Sequence, residues 1–162
     1  MNLVGILKDV LTEQRGSQIV FPLPRYSTGL NNYGQNRGDH IHDAIDIPVG
    51  VGTPVYAPHS GTISVADIYN SYNSPSAAFA NCGGTIIIDS TYYRTTFCHM
   101  SDMAVSRGQW VQAGDLVGYS GGQTGTEGAG RSDGPHLHWK LQVNGSSVNP
   151  LKWVSPQRMP QG

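Results

Sequence analysis

The segment DGPHLHWKL, residues 133–141, alternates histidines with apolar residues immediately after a Gly-Pro pair. In a β-strand, residues i and i+2 project to the same face and lie about 7 Å apart. His136 and His138 are therefore predicted to share one face, and Leu137 and Trp139 to share the other. Taken alone, this pattern is typical either of a polar surface stripe or of a site where one histidine binds a metal ion and the other faces a substrate.

A second cluster, HDAID at residues 42–46, favours the site. The segment that follows it, IPVGVGTPVYA, contains too much Pro and Gly for a helix. Four residues of straight strand span about 13 Å, too far for His42 and Asp46 to hold one ion, so the chain must bend between them. With a bend, His42, Asp46 and one histidine of the pair form a set suited to one catalytic zinc ion per chain, with a position left for water.

The segment YYRTTFCHM, residues 92–100, is predicted to be a third strand of the site. Strict alternation places Tyr93, Thr95, Phe97 and His99 on one face, and Arg94, Thr96 and Cys98 on the other. We therefore expect His99 to face a cleft that Cys98 does not reach, which argues against Cys98 as a ligand or nucleophile.

A zinc hydrolase also needs a group that accepts a proton, and the chain has only two glutamates. Glu13 lies in a predicted helix and Glu127 in a Gly-rich loop, and there is no H-E-x-x-H motif. His99 and His136 are the predicted proton-transfer groups, because imidazole titrates near neutral pH.

Composition predicts a mainly β domain. Among 162 residues are 21 glycines and 10 prolines, separated by short runs of Val, Ile, Thr and Tyr, which is typical of short antiparallel strands joined by turns. A hydrophobic content of 38% is enough for one core. The net charge of -1 argues against nucleic acid or a membrane surface as a partner, and no segment suggests membrane insertion.

The first residues show apolar positions at helical spacing before Gly16. We predict a helical segment over 1–18 that could dock on a virion or another protein, a catalytic domain over 19–155 and a tail over 156–162. No export signal is recognised near Met1, so two interpretations stay open: a route by lysis, a phage particle or a dedicated secretion system, or a sequence that is a shortened form of a secreted bacterial enzyme.

The segment TIIIDSTYYRTTFCH is predicted to be a hairpin with its turn near Asp89 to Thr91, and residues 70–84 before it are predicted to be a loop. Pairing about Ser90 places Cys82 opposite Cys98. A disulfide and two buried thiols are both compatible with that pairing.

Taken in order from Phe21 to Trp153, these motifs resemble the lysostaphin and LytM type of zinc endopeptidase, which cuts peptide cross-links in bacterial peptidoglycan. The resemblance lies in His-x-x-x-Asp at 42–46, GTPVYAPHSGTI, the strand that ends at His99, GQWVQAGDLVGYSG, and GPHLHW followed by VNGSSVNP. It implies a compact antiparallel β-sheet with a groove walled by loops 28–40, 68–84 and 121–134.

The resemblance also implies that His42, Asp46 and His138 bind zinc and that His136 and His99 are the catalytic histidines. Two positions depart from the family: Ala44 replaces a usual Gly, and Lys140 stands where an acidic residue often follows the second motif. Some members use a tyrosine upstream of the first motif to stabilise the transition state; Tyr33 and Tyr26 both lie in that region, and the assignment of this role stays open.

Four further polar residues lie near the motifs. His40 shares the strand parity of His42 and is interpreted as an exposed loop residue or a substrate contact, and His59 is predicted to be solvent-exposed. Asp39 and Asp43 are interpreted as solvated charges or as partners that orient a ligand imidazole.

The resulting prediction is a monomeric zinc endopeptidase that acts on stem or bridge peptides of peptidoglycan in the bacterial cell envelope. One alternative is a non-catalytic relative that binds cell wall or activates a hydrolase, although such domains typically lose metal ligands. Another is a D-Ala-D-Ala dipeptidase. That class of enzyme has a longer His-to-Asp spacing and uses a Glu base, and both features are absent from this sequence.

Overall fold

Short antiparallel strands dominate the described part of the chain, which in this computed structural model comprises residues 19–25, 27 and 31–154. The strands are β1 (Ile45–Pro48), β2 (Pro54–Tyr56), β3 (Gly61–Ile68), β4 (Gly84–Asp89), β5 (Tyr93–Cys98), β6 (Met100–Met103), β7 (Trp110–Val111), β8 (Leu116–Ser120), β9 (His136–Val143) and β10 (Ser146–Val148). The larger sheet has the order β1-β9-β5-β4-β3-β7, and β10 also pairs with β9. The smaller sheet has the order β2-β8-β6. The predicted mainly β fold is confirmed.

One short helix, α1 (Ala77–Cys82), interrupts the segment that was predicted to be a loop. Ser76 caps its first turn by accepting from the Phe79 amide, and Gly83 ends it with φ of 71°. A single 3-10 turn, Pro150–Lys152, follows β10. The small polar residues around α1 gave no apolar periodicity, which is why a six-residue helix was missed.

The predicted helix over 1–18 lies outside the described residues. Within the described ranges, no helix is long and apolar enough to cross a bilayer.

The inner face of β9 packs into the core as its alternation predicted. Leu137, Trp139 and Leu141 are fully buried. The Trp139 ring lies 6.2 Å from that of Phe21 and 6.3 Å from that of Phe97. Each such buried side chain contributes roughly 2 kcal/mol of transfer free energy, so this face fixes the register of β9.

That register places functional groups side by side on the outer face. His138 lies opposite Asp46 of β1 and opposite Cys98 of β5. Because cross-strand partners share a face, burial of Trp139 on one side orients His138 and Asp46 together on the other.

The hairpin of β4 and β5 is confirmed, but its centre differs from the prediction. Asp89 pairs with Arg94 and Ile88 with Thr95, so the turn is centred beyond Thr91 and not on Ser90. Cys82 is therefore not paired with Cys98 across the hairpin. The two form a disulfide all the same, because α1 brings the Cα atoms within 4.7 Å, which excludes the free-thiol interpretation.

His59 is buried, contrary to the prediction that it would be exposed. Its Nε2 lies 3.0 Å from Thr95 Oγ1 and its Nδ1 lies 3.0 Å from the Ser60 carbonyl oxygen. Its ring also packs 5.3 Å from that of Tyr93. The APHSG turn folds back on β5, which local sequence did not indicate.

Candidate active site

Three side chains meet where the outer face of β9 joins the loop before β1. His138 Nδ1 lies 2.9 Å from Asp46 Oδ1 and 3.4 Å from His42 Nε2, and the remaining pair, His42 Nε2 and Asp46 Oδ1, is 3.4 Å apart. The predicted bend brings them together: His42 pairs through its main chain with Gly34 and Gln35, and the chain turns at Asp43–Ala44 before β1 begins.

These separations are suitable for a tetrahedral ion. With ligand bonds of about 2.0–2.1 Å, two donors on a tetrahedral zinc ion lie about 3.3 Å apart. The three donor atoms, two imidazole nitrogens and one carboxylate oxygen, already approach that spacing. His42, Asp46 and His138 therefore fit zinc, and they line the cleft or the pocket beside it.

Two neighbours hold the Asp46 carboxylate by its other oxygen. Asp46 Oδ2 accepts hydrogen bonds from Asn32 Nδ2 at 3.0 Å and from Arg37 Nη2 at 2.5 Å. Burial raises the pKa of Asp46, but the close contacts with His138, His42 and Arg37 outweigh burial and hold this pKa far below the usual range. The carboxylate is thus ionised, with Oδ1 turned toward the histidines.

Both metal-facing histidines favour a form of the imidazole that can bind a cation. His42 Nδ1 lies 3.1 Å from the carbonyl oxygen of Asn32, which only accepts, so His42 Nδ1 carries the proton and Nε2 is free to bind a cation. Burial lowers the pKa of His138, which favours the neutral imidazole that a metal requires.

His99 reaches the site by a route that strand alternation did not predict. Phe97 lies in the core opposite Trp139, while Cys98 shares the outer face with His138. The prediction that His99 lies on the same face as Phe97, and Cys98 on the face opposite to the site, is therefore wrong. β5 ends at Cys98, and His99 turns outward with φ of 63°. Cys98 is excluded as a ligand by its disulfide instead.

Both predicted catalytic histidines present Nε2 to the cleft. His99 Nδ1 donates to the Ala129 carbonyl oxygen at 2.7 Å, and His136 Nδ1 donates to that of Gly134 at 2.8 Å. His136 Nε2 lies 3.6 Å from Asp46 Oδ1. Burial and the neighbouring His136 and His138 lower the pKa of His99 to about 4, so this ring is neutral near pH 7.

His99, His136 and His138 form a second group whose donor atoms lie within 4.8 Å of one another. It shares His138 with the first group, so full occupation of one removes a ligand from the other. The first group combines two imidazoles with a carboxylate, a donor set known from catalytic zinc sites, and His99 and His136 lie beside it.

A cleft of about 740 Å³ opens over these residues, and an adjoining pocket of about 400 Å³ shares its wall. Their lining comes from all three predicted loops, in the parts that the structure describes. Side chains with opposite charges lie along the wall: Arg37, Arg131, Asp39, Asp46 and Asp133.

The other polar residues near the motifs have different partners from the ligands. His40 is exposed and lies 2.6 Å from Asp39, and Asp43 pairs with Lys140 at 2.5 Å. Neither aspartate contacts a ligand imidazole; the ring of His42 is oriented by the carbonyl oxygen of Asn32. Tyr33 donates to the carbonyl oxygen of Ser147 at 2.9 Å and does not line the cleft, and Tyr26 lies outside the described residues.

Sequence reasoning missed Asn32, Arg37, Ala129 and Gly134. Main-chain acceptors such as those of Ala129 and Gly134 have no side-chain signature. Asn32 and Arg37 lie in a predicted groove loop, and only the loop conformation brings them to Asp46.

Comparison with known proteins agrees with this geometry. The model of peptidase family M23 matches residues 40–150, which include all five histidine and aspartate positions of the site. An uncharacterized metalloprotease of Haemophilus influenzae is 31% identical over 138 residues, covering 81% of this chain and 26% of that protein.

Peptidoglycan DD-endopeptidase ShyA of Vibrio cholerae is 34% identical over 112 residues, which cover 68% of this chain and 22% of ShyA. The chain thus spans about a quarter of the length of these relatives. The catalytic domain of the antimicrobial peptidase lysostaphin from Staphylococcus simulans superposes with a TM-score of 0.58 at 25% identity, covering 82% of this chain and 88% of that domain.

Proposed function

This chain belongs to peptidase family M23, and on that premise we propose that it is a zinc-dependent endopeptidase that hydrolyses peptide cross-links of bacterial peptidoglycan. The observation that carries the proposal is the meeting of His42, Asp46 and His138, at donor spacings suited to zinc, with two further histidines on one cleft. The name of ShyA, a peptidoglycan DD-endopeptidase, supports the choice of substrate.

In this proposal His42 Nε2, Asp46 Oδ1 and His138 Nδ1 hold one zinc ion per chain. When bound, zinc would supply a Lewis acid that polarises the scissile carbonyl and lowers the pKa of water. The residues of the chain supply the remaining steps.

His136 is the proposed general base. Its Nδ1 proton is committed to Gly134, so Nε2 carries the lone pair and accepts a proton from the attacking water. The same nitrogen then donates that proton to the leaving amine as the amide bond breaks. The His99 ring is neutral, and its centroid lies 4.7 Å from that of His136. In this proposal its Nε2 faces the same reacting atoms and assists the proton transfer by His136.

The proposed place of action is the bacterial cell envelope, with the enzyme working as a monomer on stem or bridge peptides. Delivery by a phage particle, with residues 1–18 as a docking element, is a further hypothesis, which detection of the chain in purified virions would test. The proposed peptidase domain comprises residues 19–155.

The test uses purified peptidoglycan of several cross-link types, with zinc measured on the same protein sample. We expect release of new amino termini, loss of that release with a chelator, and about one zinc per chain. Mass analysis of the fragments identifies the bond.

Two histidine variants separate metal binding from proton transfer. His138→Ala should lose both zinc and hydrolysis, whereas His136→Ala should keep zinc while kcat falls by about 10²- to 10⁴-fold. His40→Ala, an exposed histidine at the cleft edge, is the matched control and should keep both. Full zinc occupancy without hydrolysis of any wall would contradict the proposal and favour the wall-binding alternative.

A further inference from the structure

His99 occupies a backbone conformation that needs support. It lies between the end of β5 and the start of β6 with φ of 63°, in the left-handed region that residues with a side chain adopt rarely. This conformation is what turns the imidazole out of the core and into the cleft. Whatever holds it also holds the position of the His99 ring.

The Cys82–Cys98 disulfide lies directly beside this turn. Cys98 is covalently joined through it to the last residue of α1, and both cysteines are nearly fully buried. The His99 amide donates to the carbonyl oxygen of Cys82 at 2.8 Å. The end of α1 is therefore attached to the His99 turn by a covalent bond and a hydrogen bond.

The same end of α1 supports the partner of the His99 ring. The Arg131 amide donates to the Asn81 carbonyl oxygen at 2.7 Å, and the Gly84 amide donates to that of Gly128 at 2.9 Å. A side chain at Gly83 or Gly130 would collide with main-chain atoms of the other segment. This packing fixes residues 128–131, and with them the Ala129 carbonyl that accepts from His99 Nδ1.

We propose that Cys82 and Cys98 are positioning residues for His99, and that turnover depends on the oxidised state of their disulfide. This inference rests on the proposed function for the role of His99. The metal ligands have supports besides the disulfide: Asp46 pairs with His138 in the β1 and β9 ladder, and His42 is bound by the loop before β1. His138 also lies opposite Cys98, but this register belongs to the main-chain ladder of β5 and β9, which continues from Tyr93 to Cys98. Reduction should thus affect the ring of His99 more than metal binding.

A phosphine reductant tests the proposal on the intact protein. The phosphine takes oxygen from water and becomes the phosphine oxide, while the disulfide becomes two thiols. Because the chain has only two cysteines, the reductant has a single target. We compare wild type with the double variant Cys82→Ser/Cys98→Ser, each with and without the phosphine, and measure kcat, KM, zinc content and circular dichroism.

We expect reduction to lower kcat by about 10-fold, part of what a general acid–base group contributes. KM should stay within about twofold, zinc content should be unchanged, and reoxidation should restore activity. The double variant should have the kcat of the reduced enzyme, and the phosphine should not change it. Equal kcat in both redox states, or loss of zinc together with kcat, would overturn the proposal.

A second measurement is independent of hydrolysis. In metal-free protein labelled with ¹⁵N, the Nδ1 proton of His99, assigned with His99→Gln, should be protected in the oxidised state and exchange rapidly after reduction. An unchanged signal would overturn the positioning role even if no substrate were cut. Inactivity of the oxidised wild type alongside the expected spectral change would instead contradict only the proposed function.

Discussion

Asn32 contacts two of the three candidate zinc ligands without being a ligand itself. Its carbonyl oxygen accepts from His42 Nδ1, its side-chain nitrogen donates to Asp46 Oδ2, and its side-chain oxygen accepts from the Asp46 amide at 3.0 Å. Partners of this kind fix the orientation of metal ligands. One residue thus controls the relative placement of an imidazole and a carboxylate.

Replacement of Asn32 by Ala should weaken zinc binding by about 10- to 100-fold, because Asp46 loses two hydrogen bonds that orient it. The measurement is competition with a zinc chelator of known affinity. Asn36→Ala is the control: Asn36 also lines the cleft, but its side chain accepts from Gly38 and touches no ligand. Wild-type zinc affinity in Asn32→Ala would show that strand pairing alone places Asp46.

A second prediction at this scale concerns His59 and the dependence of stability on pH. Burial lowers its pKa in the folded state below the ordinary value near 6.5, so the fold favours the neutral ring. The contribution of His59 to stability is complete above pH 6.5. It is lost as pH falls, because the unfolded chain takes up a proton at His59 more readily than the folded chain. The free energy of unfolding in urea, measured between pH 7.5 and about pH 5, should therefore fall with decreasing pH.

In His59→Gln that decline should be shallower, by up to about 1.4 kcal/mol per pH unit for one proton. The slope is compared and not the absolute stability, because the variant also changes two hydrogen bonds. His40→Gln provides the exposed control. Identical slopes in wild type and His59→Gln would assign the pH dependence to other groups.

At the level of elements, prediction succeeded where the two faces of a strand differ strongly. β9 was placed correctly because Leu137 and Trp139 must be buried while His136 and His138 cannot share that core. The meeting of His42, Asp46 and His138 followed because His42 and Asp46 can face one ion only if the chain bends between them. Both inferences need only local spacing and burial.

Prediction failed where a strand ends or a contact comes from a distant loop. Alternation along β5 was extended one residue too far, through the turn at His99. The hairpin centre was misplaced because turn length is weakly encoded, and the disulfide formed through α1 instead. The acceptors for His99 and His136 are carbonyl groups, whose direction depends on loop conformation and not on residue type.

The close approach of β4 to β6 joins the two sheets and permits no side chain at Gly84. A Cβ atom there would collide with the carbonyl oxygen of Met100. Gly84→Ala should therefore lower the free energy of unfolding by about 3 kcal/mol, the cost of forcing the strands apart. Gly50→Ala, where a Cβ atom meets nothing within 4 Å, should change it little. Equal urea midpoints for the two variants would contradict this account.

For the molecule as a whole, the cleft and the core require different parts of the chain. The cleft lining lies between Asn32 and His138. The core extends further in both directions, because Ile19 forms a bridge with Val154 and packs beside Phe21 and Leu23. Among the described residues, the core therefore extends beyond the segment that carries the chemistry.

This difference predicts the result of two truncations. Removal of residues 1–18 should leave zinc content and kcat on soluble peptidoglycan fragments within about twofold of the full chain, since every described cleft residue is kept. Removal of residues 1–23 also deletes Ile19, Phe21 and Leu23, all buried. Loss of one large core side chain typically costs about 3–5 kcal/mol, so the loss of three is comparable with the whole stability of a small domain, about 5–15 kcal/mol, and this shorter chain should not fold. Thermal unfolding and zinc content are measured on both.

A folded, zinc-binding chain beginning at residue 24 would show that the strand ladder alone is sufficient for folding. An unfolded chain beginning at residue 19 would move the domain boundary into residues 1–18.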